Sequence, residues 1–152
     1  MGVISAKLKA ECILVDPPET EKEELFRHLV DTLASVYGIE EPDLLYQSIL
    51  KREEMVSTCI GYGCAVPHCQ SESLEKTLFA AARLDPPRDF DTPDGQPVSL
   101  VFLMAGPAKN TGSHIRLLSK LARFLHDPQF REDLEKAVDA GDFHRIISLK
   151  DQ

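Results

Sequence analysis

The stretch Gly61-Tyr62-Gly63-Cys64-Ala65-Val66-Pro67-His68 sets one histidine beside backbone with little freedom. Gly61 and Gly63 carry no Cβ, so the chain there can turn with positive φ or let a ligand touch the main chain. Cys64-Ala65-Val66 is short and apolar, which suits a buried strand. Pro67 fixes its own φ and pushes Val66 towards extended geometry. His68 is therefore presented where a strand runs out. A neutral imidazole can attack through a free ring nitrogen, so His68 reads as a nucleophile. The plain alternative is a polar residue at a strand end.

Two further residues stand out. Leu45, Ile49, Arg52 and Val56 follow one another at i, i+4, i+7 and i+11, which puts Arg52 on an apolar helix face where an unpaired cation is costly. Either it snorkels to water from the helix end, or it faces an anion near the Gly61–His68 loop. His114 follows Ser113, expected as an N-cap, and shares a stripe with Leu118, Leu121 and Leu125. It is expected to look inward at a helix N-terminus, where free N–H groups and the dipole favour negative charge. A satisfied core histidine is the alternative. Together with His68, these two would make a site for a phosphoryl group, which needs cationic and N–H donors for its oxygens and an in-line nucleophile.

The elements that must position them follow from patterning. Cys12-Ile13-Leu14-Val15 reads as a strand after a frayed or edge-strand lead-in over residues 1–10. Thr20-Glu21-Lys22-Glu23 has a capping-box pattern, followed by helical spacing of Leu25, Leu29 and Leu33 up to a stop at Gly38. A second helix is expected from Pro42 to about Glu54. Residues 78–82 and 98–104 are apolar runs of strand length, separated by a polar segment with a turn at Asp94-Gly95. Helical patterns return from Ser113, then from Pro128 to about Ala140, then over 142–149.

The order β, α, α, β, β, β, α, α, α predicts an α/β fold: a three-layer α/β/α sandwich around a small mixed sheet. An α+β fold with its helices on one face is the second choice. The organisation expected is a lead-in over 1–10 and one domain over 11–150.

With 152 residues, 43% hydrophobic and 28% charged, the chain reads as an ordinary globular domain. Its formal net charge of −8 argues against a general nucleic-acid binder. No apolar run reaches the length of a membrane span and the N-terminus lacks a long apolar signal region, so no membrane insertion and a cytoplasmic location are expected. The four cysteines, Cys12, Cys59, Cys64 and Cys69, do not make the dense framework of a small secreted domain and are expected as reduced thiols.

Lys51-Arg52-Glu53-Glu54, Ser57-Thr58, Gly61 through His68, the Asp91 to Gly95 segment, and Ser113-His114-Ile115-Arg116-Leu117-Leu118-Ser119-Lys120-Leu121-Ala122 together resemble the fructose–mannitol type of enzyme IIA domain. That domain belongs to the phosphoenolpyruvate-dependent phosphotransferase system. The resemblance covers nearly the whole chain. It implies a phosphohistidine carrier with a small mixed sheet between helices and no cofactor. By the match of motifs, His68 would carry the phosphoryl group, His114 would be the second active-site histidine and Arg52 the phosphate-side cation. Thr58, Gly61 and Gly63 would lie at the same pocket. The implied partners are a histidine phosphocarrier protein and either a IIB domain or regulatory targets. The chain departs from the family pattern at Cys69 and at Gly112-Ser113. Its size, without a fused permease or IIB domain, is most like the nitrogen-regulatory branch, and a separate sugar-system subunit is the alternative.

Two readings of other classes compete. Cys59, Cys64, His68 and Cys69 supply zinc-type ligands within eleven residues, but C-x4-C-x3-H-C is not a usual knuckle. A binding-only module would have no reason to keep His68, His114 and Arg52 together. His28, His126 and His144 read as surface or capping residues.

Overall fold

The computed structural model describes residues 2–152. Six strands form one mixed sheet: β1 (Ile13–Val15), β2 (Cys59–Gly61), β3 (Cys64–Ala65), β4 (His68–Ser71), β5 (Leu78–Arg88) and β6 (Val98–Pro107). Five α-helices surround it: α1 (Lys22–Tyr37), α2 (Pro42–Met55), α3 (Thr111–Leu125), α4 (Pro128–Glu135) and α5 (Ala140–Lys150). The spatial order is β1-β5-β6-β3-β2. β1 runs parallel to β5, β5 antiparallel to β6, and β3 parallel to β6.

The central strands carry apolar residues at successive positions, and every residue from Leu78 to Leu84 and from Val98 to Ala105 is buried. A sheet covered on one face would bury alternate residues only. Here α1 packs on β5 and α2 on β4, while α4 covers β5 and β6 and α5 covers β1. The fold is the three-layer α/β/α sandwich, not the one-faced α+β alternative. Among the described residues, no helix is long and apolar enough to cross a membrane.

β3 and β4 lie end to end along β6, in register from Cys64 opposite Leu100 to Ser71 opposite Pro107. Pro67 interrupts them, yet its carbonyl still accepts from Met104 N–H at 2.9 Å, so the edge continues through the break. His68 thus opens a second strand rather than closing one. β2 and β4 are the two strands missing from the sequence-based order. Each is short, and β4 is His-Cys-Gln-Ser, which carries no apolar run.

Other expectations change at helix ends. The capping box before α1 does not form: Glu21 is the N-cap and makes no side-chain cap bond. The N-cap of α3 is Asn110, not Ser113, and the Asn110 side chain accepts from Ser113 N–H at 3.2 Å. The helix from Pro128 stops at Glu135 rather than near Ala140. There the buried Arg83 guanidinium donates to the carbonyls of Glu135 (2.7 Å) and Ala137 (2.9 Å), and Asp139 caps a new helix through Asp142 N–H. The lead-in is packed rather than frayed. Ile4 and Leu8 are fully buried around short 3₁₀ turns, and Ser5 N–H donates to Asp151 at 2.8 Å.

Candidate active site

His68 stands on the edge of β4 facing α3. Its Nδ1 lies 2.8 Å from the Val66 carbonyl. A carbonyl only accepts, so Nδ1 carries the proton and the Nε2 lone pair is left free in the neutral ring. Burial pushes this imidazole below its ordinary titration range. The Val66 bond opposes that shift, the Arg52 charge adds to it and the Glu53 charge opposes it. The ring is thereby held neutral and nucleophilic near neutral pH.

His114 approaches from the first turns of α3, with ring centroids 5.7 Å apart and planes tilted by 54°. It is only 5% exposed, and its Nδ1 is sealed from solvent without any hydrogen-bond partner. Burial, and secondarily the neighbouring His68, lowers its pKa to about 4. Gly106 makes room for it: a Cβ there would lie 2.9 Å from His114 Nδ1 and 3.2 Å from the Thr77 hydroxyl. His114 accordingly occupies the inward position expected on α3. Its own N–H is spent on the Asn110 carbonyl, so the free amides of the helix end lie upstream of it.

A cleft of about 420 Å³ joins the two rings, with Arg52, Met55, Gln70 and Thr111 among its walls. Roomier depressions of about 570 Å³ beside Tyr37 and about 500 Å³ between α4 and α5 gather no histidine. Arg52 sits in the last turn of α2, where its guanidinium donates to the Val56 carbonyl at 3.0 Å. A cation suits a helix C-terminus, and from there it also lines the cleft. Val56 does not extend the apolar stripe; it is the exposed residue just past the helix.

Residues 6–150 match the model of the phosphoenolpyruvate-dependent sugar phosphotransferase system EIIA 2 family. The chain belongs to this family. It is 34% identical to a nitrogen regulatory protein of Bradyrhizobium diazoefficiens over 91% of this chain and 90% of that one. It is 31% identical to a PTS system fructose-specific EIIA component of Haloferax volcanii, over 88% and 87% of the two chains. The crystal structure of nitrogen regulatory protein IIA-Ntr from Neisseria meningitidis superposes with a TM-score of 0.87 at 31% identity, covering 95% of this chain and 98% of that one.

In this EIIA domain, three of the residues singled out from sequence do not face the cleft. Gly61 (φ 93°) and Gly63 (φ 74°) form the turn of the β2–β3 hairpin, and a Cβ on Gly63 would lie 3.1 Å from the Pro97 carbonyl. Tyr62 between them anchors the tip, under the Arg131 guanidinium at 4.5 Å and edge-on to His126 at 5.2 Å. They route the chain into β3 and are not among the residues lining the cleft. Thr58 is buried, with its N–H (3.0 Å) and hydroxyl both donating to Glu53. His28 pairs with Glu19 and His144 with the Ser5 carbonyl, and like His126 they do not line the cleft.

Gln70 also lines the cleft, and Glu53 lies just behind it; the sequence pattern gives neither a role of its own. Gln70 follows His68 by two on β4, so strand alternation sends it to the same side. Glu53 directly follows Arg52 yet is turned the other way, into the interior. The thiols make no ligand set: among the described residues, no three or more His, Cys, Asp or Glu side chains are gathered to hold a metal. Burial pushes Cys64 and Cys69 up to about 12, so both stay protonated.

Proposed function

We propose that this chain is a phosphohistidine carrier that accepts a phosphoryl group from a histidine phosphocarrier protein onto His68 Nε2. The observation that carries this reading is the Nδ1 bond to Val66, which leaves Nε2 as a free lone pair in the cleft shared with His114 and Arg52. In the step, the Nε2 lone pair attacks phosphorus in line. The N–P bond to His68 forms as the donor's N–P bond breaks, and that electron pair returns to the donor imidazole. The Nδ1 proton stays against the Val66 carbonyl throughout. Arg52 and a donor N–H from His114 meet the phosphoryl oxygens. Residues 11–150 act as the carrier unit, in the cytoplasm, with the lead-in packed beneath it.

The likeness to nitrogen regulatory proteins favours an output through regulatory targets that sense the phosphorylation state. The likeness to a fructose-specific EIIA component favours a second reading, in which the phosphoryl group passes on to a IIB partner. Incubation with enzyme I, a histidine phosphocarrier protein and phosphoenolpyruvate should add one acid-labile, base-stable phosphoryl group, read by mass spectrometry. His68→Ala should abolish it. Survival of the increment in that variant would refute the assignment, and onward transfer to a IIB domain would select the second reading.

A further inference from the structure

We propose that Glu53 is a positioning residue for His68, acting through Thr58 and the Val66 main chain to fix which ring nitrogen is the nucleophile. This rests on the reading of His68 as the phosphoryl acceptor. A continuous set of contacts runs from the surface to the ring. Lys22, at the start of α1, pairs with Glu53 Oε1 at 3.1 Å, and the Glu53 side chain is 6% exposed. Glu53 Oε2 accepts both the N–H and the hydroxyl of Thr58. The Thr58 carbonyl accepts from Val66 N–H at 2.9 Å, and the Val66 carbonyl accepts from His68 Nδ1 at 2.8 Å.

Each link removes a freedom that the nucleophile would otherwise keep. Met55, the last residue of α2, and Val56 just past it are exposed, at 74% and 65%, so neither apolar side chain holds that turn. Glu53 holds it instead, by gripping Thr58 five residues ahead. Thr58 then fixes Val66, whose carbonyl chooses the tautomer of His68. A carboxylate is suited to this because it accepts from several donors at once and repels none of them. The Lys22 pair compensates the buried charge, which would be costly alone. Glu53 touches neither the cleft nor a reacting atom, so beyond the field its charge exerts on the His68 ring, its effect reaches the chemistry through the orientation of that ring.

The test uses the intact protein with 15N-labelled histidine, observed by NMR before any phosphorylation, and then the transfer assay. The native chain should show His68 as the single Nδ1–H tautomer. Glu53→Ala should give a mixture of tautomers and slow phosphoryl acceptance by about tenfold to a hundredfold, the scale of a misplaced reacting group. Glu53→Gln keeps an acceptor for Thr58 and should restore the single tautomer and most of the rate. Should Glu53→Ala fail to fold, Thr58→Val decides the matter: it removes the hydroxyl link without changing shape and should show a smaller shift in the same direction, with Thr58→Ser reversing it. A folded Glu53→Ala, or failing that Thr58→Val, in which His68 keeps one tautomer and its native rate would overturn the proposal. So would a native chain in which His68 already mixes both. The tautomer is read without phosphate, so this result stands apart from whether His68 accepts the group at all.

Discussion

The two histidines of the cleft are built to opposite specifications. His68 sits on strand backbone with Nδ1 satisfied by Val66, and its free atom is a lone pair. His114 sits on a helix with Nδ1 sealed and unpartnered, which leaves Nε2 as the ring atom able to meet a cleft ligand. A buried acceptor left unpaired costs less than a buried N–H left unpaired, so the proton of His114 belongs on Nε2. One ring then offers a lone pair and the other a donor, a few ångströms apart. Chemically alike residues have been given complementary tasks by what their Nδ1 atoms meet. His68 is complete before a ligand arrives, whereas His114 gains a partner only when an anion enters.

The comparison breaks most visibly at His114. If its task is to donate from Nε2 to a phosphoryl oxygen, His114→Ala should still be phosphorylated on His68, with transfer slowed by about a hundredfold to a thousandfold, the scale for one lost oxyanion donor. His114→Gln keeps an amide donor and should lose much less. Equal impairment of the two, with a rate that titrates near an ordinary imidazole, would make His114 an acid–base group instead. Phosphate found on His114 with His68 intact would reverse the two roles.

Burial of the neutral His114 ring also predicts a pH-dependent stability. Its pKa falls from an ordinary 6.5 to about 4 in the folded protein, so the unfolded chain binds the proton more tightly. Stability contributed by the neutral ring is present above pH 6.5 and is lost as pH falls towards about 4. The loss should reach about 2 kcal/mol near pH 5. Urea unfolding of the native chain and of His114→Gln at matched pH isolates it, because carboxylate titration is common to both. A native chain whose stability falls with pH no faster than the variant's would mean that His114 is not held neutral. His68, also lowered, should contribute in the same direction.

Much of this was legible beforehand, and unevenly. The two central strands and the five helices follow from apolar runs and helical spacing, because burial on both faces or on one stripe writes itself into residue type. His68, His114 and Arg52 were legible because each breaks such a pattern. The helix ends were less so: Ser113 and Asn110 are both competent caps, and only packing selects Asn110. The stop at Glu135 depends on Arg83, fifty-two residues away, so no local signal could announce it. β4 was hidden because His68, Gln70 and Ser71 are polar, so its place beside the apolar β6 rests on main-chain pairing that no apolar run announces. Gly61 and Gly63 show a different limit. Their freedom of φ was real, but the sequence does not say whether a glycine serves a ligand or a turn.

Arg52 offers the smallest expected effect and the finest discrimination between the two rings. Its guanidinium already donates to the Val56 carbonyl, and as a partly exposed cation it is screened by water, so its share of transition-state stabilisation is modest. Arg52→Met should slow transfer by about tenfold, roughly 1.4 kcal/mol. Arg52→Lys keeps the charge and should lose less. The titration behaviour carries the sharper signal. Arg52 is among the groups that hold His68 low, whereas the charge that acts on His114 is His68. Arg52→Met should therefore move the NMR titration of His68 upward and leave that of His114 nearly in place. An upward move of both rings would mean that the cleft responds as one electrostatic unit, and the division of labour between the histidines would then rest on their Nδ1 contacts alone. If neither the rate nor either titration moves, Arg52 serves only to cap α2.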